Sequence, residues 1–169
     1  MSKAETFVLK KIHHASVARS LEKARQYRDL NDPLQAESIC LDVLALEPDN
    51  EEARVELILA MSDQFAGKRK SPRKADIFAE CDKLDDEYSK HYYKGLVTER
   101  EGLAYLERGH ASVFAYEGLR DAMDFYEAAE KLSPEGNDDA VLRWNACVRA
   151  IRREKLKPPA QYEHELPAD

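Results

Sequence analysis

Histidines and cysteines are the residues of this 169-residue chain that are best suited to metal or redox chemistry. His13 and His14 are adjacent, so on a helix their side chains diverge by about 100° and cannot readily share one metal ion. Cys40, Cys81 and Cys147 are widely spaced and form no C-x-x-C pair. Such spacing is typical of reduced, buried thiols rather than of a disulfide framework or a zinc site.

Motifs for nucleotide binding or nucleophilic catalysis do not occur in the sequence: there is no G-x-x-x-x-G-K-[ST], no G-x-G-x-x-G and no G-x-S-x-G. Acidic residues cluster at 85–87 and 121–127. Arg120 and Asp124, and Glu127 and Lys131, have the i, i+4 spacing of ion pairs on an exposed helix. We therefore expect a protein with no catalytic residues, no cofactor and no metal.

Basic residues concentrate in two places, which together form a candidate surface for nucleic acid or another acidic polymer. The first is the stretch 68–74, with five positive charges: Lys68, Arg69, Lys70, Arg73 and Lys74. The second is late in the last predicted helix: Arg149, Arg152 and Arg153. Aromatic residues do not interleave with these charges, and the net charge of the chain is −7. A solubilising surface is the favoured interpretation, and nucleic-acid binding is the alternative.

The composition favours helices without a membrane span. Hydrophobic residues make up 43% and charged residues 35% of the chain, with only six glycines and seven prolines. The sequence shows no long apolar run and no secretory leader. We expect an all-α cytoplasmic protein.

Two segments eighty-six residues apart, 36–48 and 122–134, share one pattern of small, large and proline positions. Each begins with an alanine, Ala36 or Ala122, carries its larger apolar residues on one helical face and ends in a proline. Small residues at such positions let a neighbouring helix approach closely. Both alanines are therefore predicted to be buried at helix contacts.

The sequence of the thirty-four-residue unit 17–50 predicts a helix, a turn at 31–33 and a second helix that is followed by a proline. It resembles the tetratricopeptide repeat (TPR), whose signature sites are occupied here by Ala24, Tyr27, Ala36 and Pro48. Ser20 and Lys23 replace the usual tryptophan and leucine. The string GNDDAVLRWNAC is also similar to one in uncharacterised bacterial TPR-containing proteins.

The resemblance implies a right-handed α-solenoid of about three TPR-like repeats at 17–50, 51–87 and 88–136. Asn50 is the predicted N-cap of the second repeat, whose second helix carries apolar positions as far as Tyr88. A linker is predicted at 109–118. A capping helix follows at 137–155, the residues before 17 are predicted to extend the first helix, and 156–169 is predicted to be a flexible tail.

The resemblance also implies a protein-binding groove lined by the first helix of each repeat, and hence a non-catalytic adaptor for a peptide or helix of a partner protein. The family's groove positions fall on these residues: Leu21, Arg25, Arg28, Val55, Leu59, Ser62, Tyr92, Leu96 and Glu99. Arginines among apolar side chains predict a ligand with hydrophobic anchors and some acidic character. We expect a monomer or a weak homodimer. Docking of the tail into a groove, as autoinhibition or self-association, is a further alternative.

Overall fold

The computed structural model describes residues 7–67 and 70–159, and none of these residues forms a strand. The expectation of an all-α chain is confirmed. The α-helices in the described ranges are α1 (Val17–Asp29), α2 (Pro33–Leu46), α3 (Glu51–Asp63), α4 (Lys74–Cys81), α5 (Glu87–Glu107), α6 (Ser112–Glu130) and α7 (Asp139–Arg153). None of them combines the length and apolarity that a membrane span requires. Internal contacts divide the chain into a first unit, Met1–Asp85, and a second unit, Asp86–Asp169.

Local signals in the sequence set the ends of the first three helices. Asn31 adopts a left-handed conformation with φ 58° in the turn after α1, and Pro33 occupies the first position of α2. A proline there is favourable because the N–H that it lacks would have no partner within the helix. The side chain of Asn50 accepts a hydrogen bond from the Ala53 N–H at 2.8 Å and caps α3. The predicted turn and the predicted cap are confirmed.

The core of the first unit is built on small side chains. Ala24 of α1 and Ala36 of α2 are fully buried together with Cys40 and the α3 residues Leu57 and Ala60. Helix α2 packs against both α1 and α3. The predicted burial of Ala36 at a helix contact is confirmed, and Ala122 is fully buried in the second unit.

The predicted second helix of the middle repeat is wrong beyond Cys81. Helix α4 contains only eight residues, and Leu84 lies in the turn that follows it. Tyr88 belongs to α5, because the side chain of Asp86 accepts a hydrogen bond from the Ser89 N–H at 2.8 Å and begins a new helix.

The predicted linker at 109–118 is also wrong, because α6 already begins at Ser112. The connection from α5 is a short turn in which Gly109 has φ 72°. Gly118 lies inside α6, where it contacts Gly102 of α5. Glycines at both positions let the two helix backbones approach each other, so these residues mark a helix crossing and not a loop.

Both ends of the chain differ in part from the predictions. Residues 7–13 form no helix, and only a short 3-10 helix, His14–Ser16, precedes α1, so the N-terminal helical extension is wrong for these residues. Val8, which lies in that predicted extension, is 83% exposed. At the other end, the Asn137 side chain accepts a hydrogen bond from the Asp139 N–H at the start of α7. Leu156, predicted to begin a flexible tail, is buried in the core of the second unit, while tail residues 160–169 lie outside the described residues.

The three cysteines should be unreactive in the folded chain. All three are fully buried, and burial is the main cause that raises the pKa of the Cys40 and Cys147 thiols to about 12. Since the thiolate is the reactive form, we expect no labelling by a disulfide reagent at neutral pH without denaturant and three labels per chain in denaturant. A control cysteine at the exposed position Asp49 (Asp49→Cys) should react at once. Rapid labelling of a native thiol would contradict the tight packing described around it.

Candidate protein-binding face

Two arginines of α1 are ion-paired to carboxylates of α3. Arg25 Nε donates to Glu56 Oε1 at 3.0 Å, and its guanidinium also pairs with Glu52. Arg28 Nε donates to Asp63 Oδ2 at 2.8 Å, and Arg28 Nη1 donates to Glu56 Oε2 at 3.1 Å. These five residues form a continuous network, with the carboxylate of Glu56 at its centre.

The network leaves the arginines with little free charge, since two guanidinium groups face three carboxylates. The hydrogen bonds that Arg25 donates to the carboxylates of Glu52 and Glu56 raise the pKa of Arg25. Burial would lower the pKa of Arg28, but its hydrogen bonds and charge interactions with Asp63 and Glu56 outweigh burial and raise it. The expectation of an acidic ligand assumed free arginines, and the pairing with α3 removes that basis.

Val55 and Leu59 are half-buried and lie on the same stripe of α3 as Glu52 and Glu56, one helical turn apart. They are the apolar part of this surface. We call Arg25, Arg28, Glu52, Val55, Glu56, Leu59 and Asp63 the α1/α3 face. Two further residues that were predicted to line the groove lie in the interior instead: Leu21 packs in the core, and the Ser62 hydroxyl donates to the Leu59 carbonyl oxygen at 3.0 Å.

A cleft of about 400 Å³ opens at one end of the α1/α3 face, and Asp63 belongs to both. It lies between the α1–α2 turn and the end of α3, and is lined by Asn31, Asp32, Pro33, Leu34, Asp63, Gln64, Ala66, Gly67 and Lys70. This cleft could not be predicted from the sequence, because the turn after α1 and the end of α3 are far apart along the chain and only the fold brings them together.

The groove residues predicted in the third repeat take part in the packing of the second unit. Leu96 is buried, and Tyr92 is half-buried, with its ring centroid 6.0 Å from that of Tyr126. Glu99 is only 3% exposed. Its Oε2 atom accepts hydrogen bonds from the Tyr126 hydroxyl at 2.6 Å and from Arg143 Nε at 3.1 Å. Leu96 and Glu99 are therefore not accessible to a ligand in this conformation.

Charge interactions within the second unit hold Glu99 in place. Burial is the main cause that raises the pKa of the Tyr126 hydroxyl, and the neighbouring Glu99 charge raises it further. Burial alone would lower the pKa of Arg143, but the Glu99 carboxylate outweighs it and raises that pKa. The carboxylate thus joins α5, α6 and α7 at one point.

In the first basic stretch, 68–74, two of the positive side chains contact residues of α4. Arg73 donates to both carboxylate oxygens of Asp76, at 2.9 and 2.7 Å, and Lys74 Nζ lies 5.6 Å from the centre of the Phe78 ring. Lys70 is exposed and lines the cleft, while Lys68 and Arg69 lie outside the described residues.

The second basic set belongs to the other unit. Arg149, Arg152 and Arg153 are exposed on α7, and Arg153 Nε donates to Glu154 Oε1 at 2.8 Å. Pairing with Asp76 and Glu154 reduces the free positive charge of both sets, which favours the interpretation as solubilising surfaces.

The histidine pair also has an ordinary structural partner. His14 Nδ1 lies 3.0 Å from Glu47 Oε1, and the hydrogen bond with His14 is the main cause that lowers the pKa of Glu47. Across residues 7–67 and 70–159, no group of three or more histidine, cysteine or acidic side chains could hold a metal ion.

Comparisons of this chain with protein-family models, with curated proteins and with solved structures find no match.

Proposed function

We propose that this chain is a non-catalytic adaptor with TPR-like repeats stacked as a right-handed α-solenoid, and that its α1/α3 face binds a peptide or helix of a partner protein. In this proposal it acts in the cytoplasm as a monomer or a weak homodimer. The observation that carries the proposal is the pair of half-buried apolar residues Val55 and Leu59, which lie beside an ion-paired rim.

The chemistry of the face suggests what kind of ligand it binds. Val55 and Leu59 offer an anchoring surface for an apolar side chain, and such anchors carry most of the binding energy in protein interfaces. The carboxylate and guanidinium groups around them satisfy one another, so they offer polar contacts without demanding a ligand of one charge. The cleft beside Asp63 could receive the next side chain of an extended segment.

The test compares Leu59→Lys with Leu41→Lys. Leu41 is a half-exposed leucine on α2 of the same unit, so both variants make the same chemical change. Partners are captured from a lysate treated with nuclease, identified, purified and titrated against each variant. We expect Leu59→Lys to weaken binding at least tenfold, by about 1.4 kcal/mol or more, and Leu41→Lys to leave it unchanged.

Arg25 and Arg28 are poor positions for this test, since reversing either charge would place an acid beside Glu52, Glu56 or Asp63 and disturb the packing of α1 on α3. Circular dichroism and thermal melting should show that both leucine variants stay folded. Equal affinity of the wild type and both variants would contradict binding at the α1/α3 face. Binding that disappears with nuclease would favour the nucleic-acid alternative.

A further inference from the structure

The C-terminal end of α7 and the turn that follows it carry a dense group of positive charges. Five basic residues are exposed there, and we call them the α7 basic end: Arg149, Arg152, Arg153, Lys155 and Lys157. Glu154 is the one acidic residue between them, and its Oε1 atom accepts a hydrogen bond from Arg153 Nε at 2.8 Å. The other four bases have no ion pair with any described residue. None of them belongs to the α1/α3 face, so this surface and the proposed function can be tested independently.

The helix that packs beside the α7 basic end does not balance its positive charge. Leu156, which lies between two of the lysines, belongs to the same buried cluster as Leu119 of α6. The exposed acids in that part of α6 are Glu117 and Asp121. Together with Glu154 they set three acids against five bases, in a chain whose net charge is −7. The α7 basic end is therefore a surface that attracts an anionic group.

The backbone after α7 holds the next residues of the chain close to these charges. Lys155 has a left-handed conformation with φ 52°, and the Leu156 N–H donates to the Ile151 carbonyl oxygen at 3.0 Å. This hydrogen bond closes the end of the helix where the chain turns sharply. Glycine adopts this conformation most easily, so a lysine there adds positive charge at a cost in backbone strain. Because Leu156 is buried, the chain is fixed beside the α7 basic end just before the tail begins.

The tail that follows has the opposite charge. Residues 160–169, which lie outside the described residues, contain Glu163, Glu165 and Asp169 but no lysine or arginine. Ten residues can extend over about 33 Å, whereas the step from Arg149 to Arg153 covers about 6 Å of the helix axis. The tail is therefore long enough to reach the α7 basic end. Its attachment a few residues away gives it a high effective concentration, which an acidic segment of another molecule does not have.

We propose that residues 160–169 dock on the α7 basic end of their own chain, with Glu163 and Glu165 beside its arginines. Arginine suits this contact because its planar guanidinium group can bind both oxygens of a carboxylate. The docked tail covers positive charge that would otherwise attract the phosphate groups of a polyanion. In this arrangement the chain shields its own basic surface from nucleic acid and similar polymers.

A protease that cuts after glutamate measures docking directly, because its targets in the tail are the two glutamates. The full-length protein is digested at low ionic strength, and mass spectrometry follows cleavage in the tail. We expect Arg149→Gln with Arg152→Gln to speed that cleavage at least about threefold, since a docked tail is protected from the protease. Arg19→Gln with Lys23→Gln, at exposed bases of α1, makes the same change in charge and should alter the rate less than about 1.5-fold.

The second measurement tests the shielding. Its probe is a short fluorescein-labelled oligonucleotide of thymidine, titrated at low ionic strength and followed by fluorescence anisotropy. The tail variant carries Glu163→Gln, Glu165→Gln and Asp169→Asn. The control variant makes the same change in charge at exposed acids of the first unit: Glu22→Gln, Asp29→Asn and Asp49→Asn. The tail variant should bind the probe at least about fivefold more tightly than the wild type, and the control variant less than about twofold more tightly. Adding Arg149→Gln with Arg152→Gln to the tail variant should remove the gain.

Three results would overturn the proposal. Equal cleavage rates for the wild type and the protein with Arg149→Gln and Arg152→Gln would mean that the tail does not dock on the α7 basic end. Equal tightening in the tail variant and the control variant would mean that only the total charge of the chain matters. Protection from the protease that is lost on dilution would place the tail on a second copy of the chain.

Discussion

Replacing Glu99 with alanine is expected to lower the free energy of unfolding by about 3 kcal/mol. The substitution removes the acceptor of the Tyr126 hydroxyl and the charge partner of Arg143. Tyr126 is fully buried, so its hydroxyl cannot replace that hydrogen bond with one to water. Because the Arg143 side chain is 37% exposed, its guanidinium can turn toward solvent, and we therefore expect the lower end of the range known for broken buried pairs.

Urea unfolding followed by circular dichroism measures this loss. Glu107→Ala is the matched control, because Glu107 is an exposed glutamate on the same helix and its removal should change stability by less than about 0.5 kcal/mol. Arg143→Met alone should also destabilise, since it leaves the buried Glu99 charge unpaired. Combining Glu99→Leu with Arg143→Met should cost less stability than the sum of the two single substitutions, since both charges are removed together while the Tyr126 hydroxyl still lacks its acceptor. Strictly additive losses would show that the two residues do not act as a pair.

Features that depend on residues close in sequence could be predicted from the sequence. The turn at Asn31 and Pro33 and the cap at Asn50 each use contacts within a few residues, and the structure contains both. The burial of Ala36 and Ala122 could be predicted because helical spacing identifies the face of a helix that meets its neighbours.

Features that depend on distant residues could not be predicted in the same way. Spacing places Arg28 on a face of α1, but it does not show that Asp63, thirty-five residues later, neutralises it there. The resemblance to the TPR places Glu99 in a groove, but its partner Arg143 lies forty-four residues away in the sequence. In both cases an ion pair across helices decides whether a charged side chain is available to a ligand.

Glycine was the other source of error, because the same residue permits a loop and a close helix contact. The prediction from the sequence places Gly109 and Gly118 together in one linker. Gly109 has φ 72°, with nothing near the position of a Cβ atom, whereas Gly118 is helical and touches Gly102. Only the packing distinguishes the two roles, and the sequence of α6 alone does not contain it.

Substitution of Gly118 by valine is therefore expected to destabilise the second unit strongly. A Cβ atom at this position would lie 2.8 Å from the Gly102 Cα atom, and backbone cannot move aside as a flexible side chain can. We expect overpacking to lower the free energy of unfolding by about 3 kcal/mol or more. Gly118→Ala should lower the free energy of unfolding by about 1–2 kcal/mol. This is the net effect of the clash, since alanine by itself favours a helix by about 1 kcal/mol over glycine.

The neighbouring substitution Glu117→Val separates the clash from helix propensity, since Glu117 is exposed on the same helix. This substitution should lower the free energy of unfolding by no more than about 0.7 kcal/mol. Thermal and urea unfolding of the three variants gives the comparison. If Gly118→Ala were more stable than the wild type by about the propensity difference, α5 and α6 would have room for a methyl group at their crossing. A cost confined to Gly118 would instead mean that close approach of the two backbones, and not flexibility, explains why glycine occupies this position.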